Sequence, residues 1–169
     1  MDAATDDVDD VLDSSYYRPL RRLLDDMDDS IARVYARAGR GRVRPRFAAP
    51  LLHLDRHGPS TVTALAQHME VTHSAMSQTV AAMARAGLVE LTMGSDARTR
   101  VAALTDEARA MLPFVRAAWR ATEATVRELD AEVPYPLLRV VADLRVALEK
   151  TSFEERLVSR LGKELDAAP

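Results

Sequence analysis

Apolar residues recur at Leu20, Leu24, Met27, Ile31 and Val34, with polar and charged residues filling the intervals. Steps of three and four residues keep one face of a helix apolar, so the pattern predicts a long amphipathic helix from Ser14 to Ala38. Between Gly39 and Arg46 two glycines and Pro45 break the period. A second helix is expected from about Pro45 to His57, burying Phe47, Leu51, Leu52 and Leu54, with Gly58-Pro59 as its stop. Two shorter helices follow, about Val62 to Met69 and His73 to Ala86. Each is preceded by hydroxyl residues able to cap exposed backbone N–H groups, Ser60 or Thr61 for the first and Thr72 for the second.

Leu88 to Thr92 is short, apolar and partly β-branched, Gly94 to Ala97 reads as a turn, and Thr99 to Leu104 as a returning strand, which together predict a β-hairpin. Thr105 can cap a further helix, whose first turn holds Asp106 and Glu107 at the positive end of its dipole. The stripe Leu112, Val115, Trp119, Thr122, Val126 and Leu129 runs for about five turns, longer than a small domain can bury against itself, and so implies a partner. Pro134 and Pro136 open another helix with Leu137, Val141, Leu144 and Leu148 on one face. Phe153 to Leu165 can form a last one of weaker period. No internal repeat is visible.

A chain of 169 residues, 47% hydrophobic and 29% charged, has the balance of a soluble globular protein. No apolar run is long enough to cross a bilayer, and the start, Met1 to Asp13, carries six Asp and no base, unlike a secretory signal. A cytoplasmic protein is therefore expected. With no cysteine there are no disulfides, thiolate metal sites or thiol switches. The net charge of −3 conceals a segregation: six arginines, Arg33, Arg37, Arg40, Arg42, Arg44 and Arg46, fall within fourteen residues that include no acid.

The stretch from Leu65 to Val80 has the pattern of a helix-turn-helix. Small Ala66 stands where two helices touch, Val71 is expected to face inward from the turn, and Met76, Val80 and Met83 turn inward from the second helix. His73, Ser74, Ser77 and Gln78 are left outward, short or amide-bearing side chains of the kind that contact base edges. A hairpin directly after such a unit makes a winged helix, and here the sequence resembles the MarR family. The detailed likeness spans roughly Phe47 to Leu112. Gly87-Leu88-Val89 matches the passage from recognition helix into wing, Asp96-Ala97-Arg98 the Asp-x-Arg wing tip, and Leu104-Thr105 the start of the next helix.

The resemblance implies a mainly α fold with a small β-hairpin wing, a winged helix-turn-helix flanked by long dimerisation helices. Its divisions would be an acidic segment 1–13, a first dimerisation helix and Arg-rich connector 14–44, the winged unit 45–104, and C-terminal dimerisation helices 105–169. It implies a sequence-specific regulator of transcription, a repressor modulated by a small ligand, bound as a homodimer to a roughly palindromic DNA duplex. DNA contacts would fall to Thr72, His73, Ser74, Ser77, Gln78, Arg85, Arg98 and Arg100, with Arg44 and Arg46 on phosphates. Arg98 would enter the minor groove, and Asp96 would orient the wing arginines. The dimer would form through Leu20, Leu24, Val126, Leu129, Leu137, Val141, Leu144 and Leu148. A ligand pocket would draw on Tyr35, His53, His57, Met111 and Trp119.

Some positions depart from the family pattern. Glu70 stands where such turns usually hold Gly or Asn, which would strain a left-handed backbone by about 1 kcal/mol. Gln78 replaces a frequent Arg, Thr92 and Met93 replace basic wing residues, and Ala108 replaces a frequent Gly. Fewer charges to phosphate predict a flatter salt dependence. His53 and His57, four apart on a helix, can face the same way; with no third ligand marked by spacing, though Asp55, His68 or Glu107 can be recruited by folding, no metal site is assigned. No phosphate loop, nucleophile or triad is present, so no enzyme activity and no cofactor are expected. The alternative class is a dimeric helical scaffold whose winged unit binds another protein.

Overall fold

The computed structural model describes residues 15–94 and 99–167. Helix α1 (Arg18–Arg37) begins with Pro19 in its first turn, where a missing N–H is not needed. A single 3₁₀ turn, Pro45–Phe47, leads into α2 (Ala48–His57), which Gly58 ends at φ 78°. Strand β1 (Ser60–Thr61) precedes α3 (Val62–His68) and α4 (His73–Arg85), followed by β2 (Val89–Met93) and β3 (Arg100–Leu104). Helices α5 (Asp106–Glu132), α6 (Leu137–Lys150) and α7 (Phe153–Ala167) complete the chain. Among the described residues no helix is long and apolar enough to cross a membrane.

The hairpin expected from the sequence is part of a three-stranded antiparallel sheet of order β1-β3-β2. Val89 pairs with Leu104 and Met93 with Arg100, while on the other side of β3 Ser60 pairs with Ala102 and Thr61 with Val101. A two-residue strand has no alternation to betray it, and the sequence marks Ser60-Thr61 only as capping residues. Thr61 does both jobs, its hydroxyl accepting from the Ala64 N–H at 3.1 Å.

Two compact units divide the chain, 1–120 and 121–169. The core of the first gathers Tyr35, Phe47, Leu51, Leu54, Leu65, Met76, Val80, Met83 and Leu88 together with Ala108, Leu112 and Val115 of α5. The first half of α5 thus belongs to the winged unit's own core. The stripe on α1 is shifted from expectation: Val34 is exposed and its neighbour Tyr35 is the buried residue, edge-on to Phe114 at 5.3 Å between ring centroids. Thr105 fixes the start of α5 by accepting from the Ala108 N–H at 3.1 Å and donating its hydroxyl to the Gly87 carbonyl at 2.8 Å.

The second unit holds the rest of α5 with α6 and α7. Here Ser152 and Glu155 form a reciprocal capping box: the Glu155 carboxylate accepts from the Ser152 N–H at 2.7 Å, and the Ser152 hydroxyl accepts from the Glu155 N–H at 3.1 Å. Those bonds to Ser152 hold the Glu155 carboxyl below its ordinary pKa. Helix α6 contains no buried residue; Leu137, Leu138, Val141, Leu144 and Leu148 are all exposed, Leu138 to 78%.

Candidate nucleic-acid interface

The turn between α3 and α4 closes with two backbone bonds, from the Val71 N–H to the Ala66 carbonyl at 3.0 Å and from the Glu70 N–H to the Gln67 carbonyl at 3.2 Å. This is the six-to-one and five-to-two pair of a Schellman ending, which needs a left-handed residue between its bonds. Glu70 supplies it at φ 53°, the one non-glycine residue with positive φ among those described. Val71, expected to face inward, is instead 44% exposed, because the turn carries it to the rim of an interior already filled by Leu65, Ala66 and Met76. The hydroxyl of Thr72 then caps α4, accepting from the Ala75 N–H at 3.2 Å.

From that cap the two faces of α4 diverge. Met76, Val80, Ala82 and Met83 are buried; Thr72, His73, Ser74, Ser77 and Gln78 are exposed. The exposed set places donors and acceptors on short side chains above a fixed apolar base, a surface that can approach base edges without steric obstruction. A concavity of about 250 Å³ joins this end of α4 to the wing, lined by Val62, Thr63, His73, Ser77, Thr99 and Arg100. Arg98 and Asp96 lie outside the described residues.

The arginines of the connector meet the other end of the same helix. Arg44, Arg46 and Arg85 line a second concavity with Arg42 and Phe47, and the Arg46 guanidinium lies 5.6 Å from the Phe47 ring centroid. Thirteen residues of α4 separate the two ends, about 18 Å at the α-helical rise. The proposed phosphate contacts and base contacts are therefore two patches. Arg42 is committed elsewhere: it donates to the last carbonyl of the helix end, Ala86, at 2.7 Å, and pairs with Glu107 at the start of α5. Sequence reasoning missed this clamp, since nothing in an Arg-rich loop marks which guanidinium reaches the helix end.

The five residues expected to line a ligand pocket fall in different surroundings. Tyr35 is a core residue, its hydroxyl pKa pushed up by burial, and Met111 packs against the same core. Trp119 is 39% exposed. His53 and His57 instead cluster with His68, their rings tilted to one another at centroid distances of 4.6 Å within α2 and 4.3 Å from His53 to His68. Burial, and then the neighbouring His68 and His57, hold the His53 imidazole below its ordinary pKa. Of the other residues that folding could have recruited, Asp55 pairs with Arg116 and Glu107 with Arg42.

Residues 51–99, which hold both helices and the first strand of the wing, match the model of the MarR family. Over that stretch the winged unit is similar to the MarR family. No curated protein matches the chain by sequence. Among solved structures, the chain is similar to the M. tuberculosis transcriptional regulator MosR in complex with DNA, at 25% identity and a TM-score of 0.60, covering 81% of this chain and 98% of that one. The S. aureus MepR–DNA complex superposes with a TM-score of 0.59 at 16% identity, covering 80% and 97%. A MarR-family regulator from Rhodococcus sp. RHA1 gives 0.51 at 20% identity over 91% and 98%. By that likeness α4 stands where the second helix of the helix-turn-helix is expected, and β2–β3 where the wing is expected.

Proposed function

We propose that this chain is a cytoplasmic, homodimeric regulator of transcription that binds duplex DNA sequence-specifically, acting as a repressor whose affinity for DNA changes when a small ligand binds. The observation that carries the reading is the outward face of α4, where His73, Ser74, Ser77 and Gln78 stand exposed over a fully packed MarR core. The DNA-bound state of the similar MosR structure supports it. Arg100, at the tip end of the β2–β3 ladder, would engage the adjoining minor groove together with Arg98, and Arg44, Arg46 and Arg85 the phosphates.

The homodimer reading rests on apolar surface that one chain leaves uncovered. Leu20 and Leu24 of α1, Leu129 of α5, and Leu137, Val141, Leu144 and Leu148 of α6 are exposed, with Val126 half-buried. A second copy would cover them, and its two-fold axis would set two recognition helices about one helical turn of DNA apart. The ligand-controlled repressor is the family's habit carried to this chain. A ligand would act by changing the separation of the two heads.

Fluorescence anisotropy on duplexes from the protein's own upstream region, beside a scrambled control and across a salt series, tests the proposal. Tight binding to one palindromic fragment, lost in Gln78→Ala while the dimer persists in analytical ultracentrifugation, is the expected result. Equal binding to scrambled DNA at every salt concentration would refute it and move the assignment to a protein-binding scaffold.

A further inference from the structure

We propose that His53, His57 and His68 form a binding site for one Zn²⁺ ion, joining α2 to the helix that leads into the helix-turn-helix turn. The ligand nitrogens of all three lie within 4.8 Å of one another. A tetrahedral zinc holds imidazole nitrogens at about 2.0–2.1 Å, which spaces them about 3.3 Å apart, so closing the triad takes side-chain rotations on the order of 1 Å. His57 and His68 are exposed and free to make them, and His53 and His57 already share a face through their i, i+4 spacing.

The donor set selects the occupant. Three neutral imidazoles with no carboxylate or thiolate suit a borderline transition metal and are unsuited to calcium or magnesium, which require oxygen ligands. Three protein ligands leave a fourth position for water or an anion. A second observation points the same way: Nδ1 of His53 is buried and pairs with no described group, although buried polar atoms in folded proteins are nearly always partnered. The nearest acid in sequence, Asp55, is taken by Arg116 and does not compete for the histidines.

The position gives the ion a lever. His68 is the last residue of α3, and the chain passes from it through Met69, the strained Glu70 and Val71 to the cap of α4. Zinc would tie that corner to α2, so its binding and the orientation of the recognition helix would be linked. The site itself is independent of the DNA-binding reading; only this linkage rests on it.

The test uses the full chain. Zn²⁺ is titrated against a chromophoric chelator for wild type, His57→Ala and His68→Ala, two exposed positions where alanine leaves the core intact, as circular dichroism would verify. One ion per chain is expected. Loss of a second-shell partner lowers metal affinity about 10–100-fold, so loss of a direct ligand should exceed about 100-fold in each variant. Zinc should raise the thermal midpoint of wild type and leave both variants unmoved. Absence of stoichiometric binding at micromolar free zinc, or variants that bind as wild type does, overturns the site. Duplex anisotropy with and without zinc reads the lever separately: a shift in wild type that is absent in His68→Ala supports it, and equal affinities for wild type in both conditions overturn the linkage even where the zinc titration succeeds.

Discussion

Replacing Gly87 with alanine tests how the recognition helix is held at its rear. Gly87 has φ 71° and ends α4 in a second Schellman turn, its N–H donating to Ala84 at 2.9 Å while the Leu88 N–H donates to Met83 at 2.9 Å. A left-handed alanine costs about 1–2 kcal/mol, against which the stiffer unfolded chain returns about 0.4–1 kcal/mol. The added Cβ would also come within 2.9 Å of Nη2 of Arg42, the atom that donates to the Ala86 carbonyl and belongs to the guanidinium paired with Glu107. Both partners of that ion pair are about half exposed, so solvent screening limits the loss on displacing the arginine to about 1 kcal/mol. The expected destabilisation is about 2 kcal/mol, measured by urea unfolding at fixed protein concentration. In an Arg42→Ala background the steric part has no object, and Gly87→Ala should cost about 1 kcal/mol less. Equal cost in both backgrounds would refute the clamp, and a cost below about 0.5 kcal/mol in wild type would refute the strain reasoning as well.

Glu70→Asn should stabilise the chain by about 0.5–1 kcal/mol in urea unfolding, because asparagine tolerates the left-handed backbone; Glu70→Gly should come out near neutral, since the freer unfolded chain offsets the relief. Each of Arg44→Ala, Arg46→Ala and Arg85→Ala, present twice in a dimer, should flatten the slope of log affinity against log salt by about 2, read by anisotropy. Leu144→Arg on α6 should shift sedimentation toward monomer and weaken duplex binding with it, while circular dichroism stays helical. Tyr35 is held protonated by burial, so above pH of about 10 the unfolded chain releases a proton that the folded chain keeps. Stability should fall with rising pH there, less steeply in Tyr35→Phe.

Most elements were legible because their apolar residues lie on one face within their own segment: α2, α3, α4 and the β2–β3 hairpin each bury the side that the period marks. The exposed face of α4 was legible for the same reason, as the complement of Met76, Val80 and Met83. The residues that escaped depend on distant partners. Tyr35 rather than Val34 is buried because Phe114 lies across from it, and Arg42 bends onto the end of α4 because Ala86 and Glu107 meet there. His68 joins His53 and His57 only after α3 folds beside α2. The capping box of α7 is of another kind: Ser152 and Glu155 carry the Ser-x-x-Glu spacing openly, although the helix's own period is weak.

Strand β1 is too short to matter as a sheet element, yet it decides how the wing bends. Val101 and Ala102 are gripped from both sides, by Thr61 and Ser60 and by Thr92 and Leu91, whereas Arg100 is paired only with Met93. The amides of Val101 and Ala102 should therefore exchange more slowly than that of Arg100. The gripping residues lead without a break into α3, so the wing's root and the first helix of the motif form a single stiff block. A partner would then meet a wing whose root is set in advance by the helix behind it.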